Sequence, residues 1–231
     1  ALHVHRLAEQ LKVGDAFKEA TWSVDGSNLL LTYTVLTDEN GAITIDTAAL
    51  TTALGTDIKD LAGNSASVET VDEPTTTYKV DTTQPEIAAM LTLETLDSAG
   101  DAKTNDLKEG DQVVLTIDLG EEASGLTGLP EEGATNATVI KVGDTAKDAS
   151  WSITGSNLVL TYTVGAGDTG AITIDEEALK TALGTDIKDK AGNDATLPGS
   201  FDALTDPSNA VDTTAPAIAA DALSLTMKDS D

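Results

Sequence analysis

The chain contains no cysteine, so neither a disulfide nor a thiolate metal site is open to it. Aromatic residues make up only 3%. A core must therefore be assembled from Val, Ile, Leu and Ala, and no aromatic platform for stacking a sugar is present. Basic residues are scarce as well: 13 Lys and Arg stand against 40 Asp and Glu, a formal net charge of −27. That balance excludes a nucleic-acid binder of the usual electrostatic kind, because phosphate contacts need a basic surface. It also opposes docking on an anionic membrane surface. No run approaches the ~20 apolar residues of a membrane-spanning helix, so no membrane insertion is expected.

The only two histidines, His3 and His5, precede the repeated part of the sequence. Without Cys, and without His inside the repeats, neither a Ser-His-Asp nor a Cys-His site can be assembled. No GxSxG elbow or phosphate-binding loop occurs. The chain is expected not to be an enzyme.

What is present is a repeat. Trp22–Val35 reads WSVDGSNLLLTYTV and Trp151–Val164 reads WSITGSNLVLTYTV, identical at 11 of 14 positions and offset by 129. Gly41–Leu54 matches Gly170–Leu183 at the same offset, and Gly55–Asn64 matches Gly184–Asn193 at 9 of 10 positions. Val80–Ala89 matches Val211–Ala220 at an offset of 131. The period is too long for a solenoid and suits modules in series. The register predicts a partial repeat over 1–85 lacking its opening strands, a complete repeat over 86–216, and over 217–231 the opening strand of a following repeat or a donor strand.

With 40% hydrophobic residues a real core is available. Leu29, Leu31, Tyr33 and Val35 alternate with polar positions, and Trp22–Val24 precedes them across the turn-forming Asp25-Gly26-Ser27-Asn28. This predicts a β-hairpin, repeated at Trp151–Val164. Val113, Leu115, Ile117 and Leu119 alternate likewise, and Ala137–Val142 and Ile87–Leu96 read as further strands. One short helix is expected per repeat. In the second, Asp175 caps it, Glu176 and Glu177 suit the first-turn dipole, Leu179 and Leu183 share a face, and Gly184 ends it. Asp46, Leu50, Leu54 and Gly55 repeat the pattern. Many short strands and few helices predict an all-β sandwich.

The repeated acids suggest a ligand. Asp57, Asp60 and Asn64 follow the first helix, and Asp186, Asp189 and Asn193 follow the second. Hard cations such as Ca²⁺ take six to eight oxygen ligands, which loop carboxylates and Asn carbonyls supply. Asp81 and Asp212 precede Thr-Thr-x-Pro where one module passes to the next. Asp118 and Glu121 follow a strand of the complete repeat. Bound Ca²⁺ would also offset the self-repulsion of so acidic a chain.

The Asp60-Leu61-Ala62-Gly63-Asn64 turn and Val80-Asp81-Thr82-Thr83-Gln84-Pro85 recur as Asp189–Asn193 and Val211–Pro216. This pairing resembles the bacterial Ig-like tandem repeats of large surface adhesins, both biofilm-associated proteins and the extender domains of RTX-type adhesins. The resemblance implies tandem Ig-like Greek-key β-sandwiches at an extracellular bacterial cell surface, with calcium at module junctions. Its partners would be neighbouring repeats or other copies of itself. Two roles follow as expectations: a stiff spacer in adhesion and biofilm, or a self-assembling filament subunit that polymerises head-to-tail by donor-strand addition of residues 217–231.

Overall fold

A computed structural model describes residues 10–26, 28–57, 59, 62–65, 67, 77–202, 209–219 and 226–227. The chain divides into two compact units, the break falling between Gln84 and Pro85, with residues 191–193 grouped with the first.

The first unit carries β1 (Leu11–Val13), β2 (Ala16–Lys18), β3 (Thr21–Asp25), β4 (Asn28–Thr32), β5 (Gly41–Ile45), α1 (Thr47–Asp57) and β6 (Lys79–Val80). One antiparallel sheet has the order β2-β1-β5-β6, and β3 and β4 form a separate hairpin. Leu11, Val13 and Val80 are its buried core, with Tyr33 and Ile43 against them. Alternation explains the choice: Leu11 and Val13 lie on one face of β1, and Lys12 points the other way.

The second unit carries β7 (Leu91–Leu96), β8 (Gln112–Asp118), β9 (Leu126–Thr127), β10 (Thr135–Asn136), β11 (Ile140–Val142), β12 (Thr145–Ala146), β13 (Ala149–Thr154), β14 (Asn157–Thr163), β15 (Thr169–Ile174), α2 (Glu176–Leu183), β16 (Lys188–Asp189) and β17 (Ala210–Asp212). A five-stranded sheet has the order β10-β13-β14-β8-β7, and a four-stranded sheet the order β12-β11-β15-β17. Both feed one apolar core. Val113, Leu115 and Ile117 of β8 and Leu158 and Leu160 of β14 come from the first sheet; Ile140, Ile172 and Val211 come from the second. Each is essentially inaccessible to water, and burying such a side chain contributes about 1.5–3 kcal/mol relative to exposure.

The repeat in sequence is a repeat in structure. Strands β1 to β5 correspond to β11 to β15, α1 to α2, and β6 to β17. The chain is thus mostly antiparallel β-structure with few helices. Among the described residues, no helix is long and apolar enough to cross a membrane.

The hairpin expected at Trp22–Val35 and at Trp151–Val164 forms in both units, Trp22 lying opposite Leu31 and Trp151 opposite Leu160. Trp151 is buried, whereas Trp22 is only partly so. Helix α2 starts and stops as its sequence predicts. The Asp175 carboxylate accepts from Ala178 N–H, Leu179 and Leu183 face the core, and Gly184 ends the helix at φ 69°. In α1 the Asp46 carboxylate caps in the same way, accepting from Ala49 N–H at 2.8 Å, but the helix runs through Gly55 to Asp57.

Two expected strands are shorter than read. Between β10 and β11, Asn136 Oδ1 accepts from Thr138 N (3.0 Å), Thr138 Oγ1 (3.2 Å) and Val139 N (2.9 Å). A side chain that competes for backbone donors breaks the ladder there. Ahead of β7, Ile87 N–H donates to Thr196 O and Ala88 N–H to Asp118 O, so these residues bond elsewhere and the strand opens only at Leu91.

Candidate functional site

Each unit holds a carboxylate clamped between a lysine and a tyrosine. In the second unit Tyr162 stands on β14, Lys147 follows β12 and Asp168 precedes β15. The Tyr162 hydroxyl donates to Asp168 Oδ2, Lys147 Nζ contacts Asp168 Oδ1, and Gly165 N–H adds a third bond to Oδ2 at 2.8 Å. The Asp168 side chain is only 11% exposed. Thr213 Oγ1, just beyond β17, donates to the Asp168 carbonyl at 2.9 Å. One residue thereby ties a strand of the first sheet to two strands of the second.

The first unit builds the same device with Glu39 in place of the aspartate and Leu36 in place of Gly165. Tyr33 hydroxyl donates to Glu39 Oε2, Lys18 Nζ lies 2.7 Å from Glu39 Oε1, and Leu36 N–H donates to Oε2 at 2.8 Å. Thr82 Oγ1 donates to the Glu39 carbonyl at 3.1 Å. Lys18, Tyr33, Leu36 and Glu39 stand 129 residues before Lys147, Tyr162, Gly165 and Asp168. Lys, Tyr and an acid at such spacings form no local sequence signature. The shared offset was the signal that marks them.

The electrostatics follow from the geometry. Hydrogen bonds from Lys18, then Tyr33 and Leu36 N–H, hold the Glu39 carboxyl down at about 2. Burial pushes Asp168 up, but the bonds from Lys147, Tyr162 and Gly165 outweigh it and leave the carboxyl below its ordinary value. Burial first, and then the bonded carboxylate, push Tyr33 and Tyr162 up to about 12. At neutral pH an ionised acid, an ammonium and a protonated phenol satisfy one another. Such a mutually satisfied set fixes geometry.

A second buried acid sits in the turn before β8. Asp111 is inaccessible to water. Its Oδ2 accepts from Lys103 Nζ and from Lys108 N–H at 2.9 Å, while Oδ1 has no hydrogen-bond partner among the described residues. Burial raises its pKa, yet the Lys103 bond and charge win and the group stays below the ordinary range. Gly110 N–H and Asp111 O bond the carbonyl and amide of Val164, closing the end of β14.

The residues proposed for calcium are placed as follows. Asp81, Asp118 and Asp212 each close a turn at a strand end, one carboxylate oxygen accepting from Thr83 N–H (3.0 Å), Gly120 N–H (2.9 Å) and Thr214 N–H (2.8 Å) respectively. Glu121 is half-buried in the turn after β8, Asp186 is exposed, and Asp189 on β16 is buried. Asn64 is exposed. Asn193 groups with the first unit, its amide donating to the carbonyls of Asp81 (3.0 Å) and Thr83 (3.2 Å). Asp57 is described in its backbone alone, and Asp60 lies outside the described residues. In chemistry this donor set fits a hard cation, since every donor is oxygen. Among the described residues, no three acidic side chains converge.

No family model, curated protein or solved structure matches this chain.

Proposed function

We propose that the chain is a non-catalytic structural segment of an extracellular bacterial surface adhesin, working as a stiff, calcium-stabilised spacer in adhesion and biofilm. Its units are read as Ig-like Greek-key β-sandwiches, and their partners as neighbouring repeats of the same kind. The observation that carries the reading is duplication: one strand set, with one buried Lys–carboxylate–Tyr lock, occurs in both units. An active site needs to exist once. A load-bearing module is useful in every copy. The net charge of −27 adds a second support, because divalent cations on repeated acids would relieve the repulsion of a compact acidic chain.

The test is thermal unfolding in millimolar calcium and in chelator. A cation that binds only the folded state raises the melting temperature by mass action, by about 2.7 kcal/mol of stability at 100 times its dissociation constant. A rise with calcium, absent with magnesium, supports the reading. Superimposable curves remove calcium from it and leave an acidic repeat held by its own core.

A further inference from the structure

The chain enters and leaves the second unit at opposite ends of its strands. At the entry, Ala88 N–H donates to the carbonyl of Asp118, the last residue of β8, at 3.0 Å. At the exit, Asp212 lies opposite Thr169, the first residue of β15. Residues 164–168 join Thr169 to the end of β14, where Thr163 stands opposite Gln112, the first residue of β8. The length of β8 therefore separates entry from exit, and its 7 residues span about 20 Å at about 3.4 Å each.

Each terminal segment is bonded to two neighbours. Strand β17 pairs along one edge with β15, from Thr169↔Asp212 to Ala171↔Ala210. On its other edge Leu107 N–H donates to the Ala210 carbonyl and Asp212 N–H to the Leu107 carbonyl, each at 2.8 Å, forming a parallel bridge. Val211, between them, is buried in the core. Just beyond, Thr213 Oγ1 donates to the Asp168 carbonyl (2.9 Å) and accepts from Gly167 N–H (3.0 Å). At the entry, Thr196 N–H donates to the Pro85 carbonyl at 2.8 Å and Ile87 N–H to the Thr196 carbonyl at 3.1 Å, beside a second parallel bridge, Glu86↔Thr196. Ile87 is buried in the same core as Val211.

We propose that the second unit is a tension clamp. A pull between Pro85 and Thr213 runs along the strands and must shear a terminal segment, either β17 or 85–88, from both of its neighbours. A pull along a ladder loads its hydrogen bonds together, and the apolar anchor, Val211 or Ile87, has to leave the core in the same event. A pull across a ladder opens the bonds one after another. Forced unfolding follows the barrier to that event, so the unit resists most strongly along the line in which it is threaded. The inference rests on the spacer reading for the source of the pull, and the clamp itself needs no metal.

The experiment is single-molecule pulling of the whole chain in chelator. The chain has no cysteine, so an introduced pair of thiol handles sets the direction of force. Gln84→Cys with Ala215→Cys pulls the second unit end to end and leaves the first outside the force path. Ala166→Cys with Ala215→Cys pulls from one pole and peels β17 from β15. All three positions are exposed, so both variants should keep the parent's urea midpoint. The expected unfolding force, at one loading rate, is higher end to end than in the peel by on the order of twofold or more. Equal forces, or a weaker end-to-end direction, overturn the clamp. A calcium-induced rise in melting temperature with equal forces would keep the spacer and remove the clamp. A strong end-to-end direction with no calcium response would keep the clamp and remove the metal.

Discussion

Glu39 and Asp168 lie 129 residues apart in sequence and hold the same place in their units, each accepting from a lysine, a tyrosine hydroxyl and the backbone N–H three residues before it. Glutamate reaches one carbon further than aspartate. That the network survives the exchange shows that its donors, set by the strands, define the site.

Lys147→Met leaves Asp168 ionised and nine-tenths buried without its cation. Breaking a buried pair by removing one partner costs about 3–5 kcal/mol. The second unit should lose about 3 kcal/mol in urea unfolding, while exchange of first-unit amides stays as in the parent. A loss under 1 kcal/mol would show that the pair is no more than a surface contact.

Acid and base should each weaken the networks. Glu39 ionises at about 2 in the folded chain against an ordinary 4.5, so its contribution is complete above pH 4.5 and disappears as pH falls toward 2. Asp111 and Asp168, also depressed, act in the same direction below their ordinary 3.8. Tyr33 and Tyr162 are raised from 10 to about 12. The unfolded phenols release their protons first, so stability declines from pH 10 to 12. Melting temperatures at high salt, which screens general repulsion, should form a plateau between pH 4.5 and 10 with falling flanks. A plateau extending unchanged to pH 2.5 would contradict the assignment.

Gly170 adopts φ 122°, and a Cβ placed there would meet Gly143 Cα at 2.9 Å. Gly41 and Gly14 repeat the approach at 2.8 Å. Neither backbone can move without disturbing the ladder between β11 and β15 or between β1 and β5. Gly170→Ala should cost at least the 1–3 kcal/mol of a strained backbone, read as a lower urea midpoint. A neutral substitution would mean that the strands separate freely at that point.

Asp81→Asn and Asp212→Asn separate the role of these residues in the turn from their proposed role as calcium ligands. An Asn oxygen still accepts from Thr83 or Thr214 N–H, so stability in chelator should change by less than about 0.5 kcal/mol. The charge is gone, so the calcium-induced rise in melting temperature should shrink. If that rise is unchanged in the double variant, these two residues are turn formers and the ligands lie elsewhere.

The sequence by itself determined what is local or duplicated. The 3.6-residue spacing and capping acid of α2, the alternation of β8 and β14, and the tight turns between hairpin strands are decided within a few residues by backbone sterics and side-chain reach. Duplication then carried each element from one half of the chain to the other. Tertiary structure alone decided which distant groups meet. Lys147, Tyr162 and Asp168 are unremarkable polar residues until two sheets close on one core and leave their charges nowhere to go but to each other. Asp111, one acid in a stretch of acids, is singled out only by burial beside Lys103. The two hairpins make the same point from the other side. Nearly identical residues are buried in one unit and part-exposed in the other, because burial depends on the strand alongside, and no residue within the hairpin encodes its neighbour.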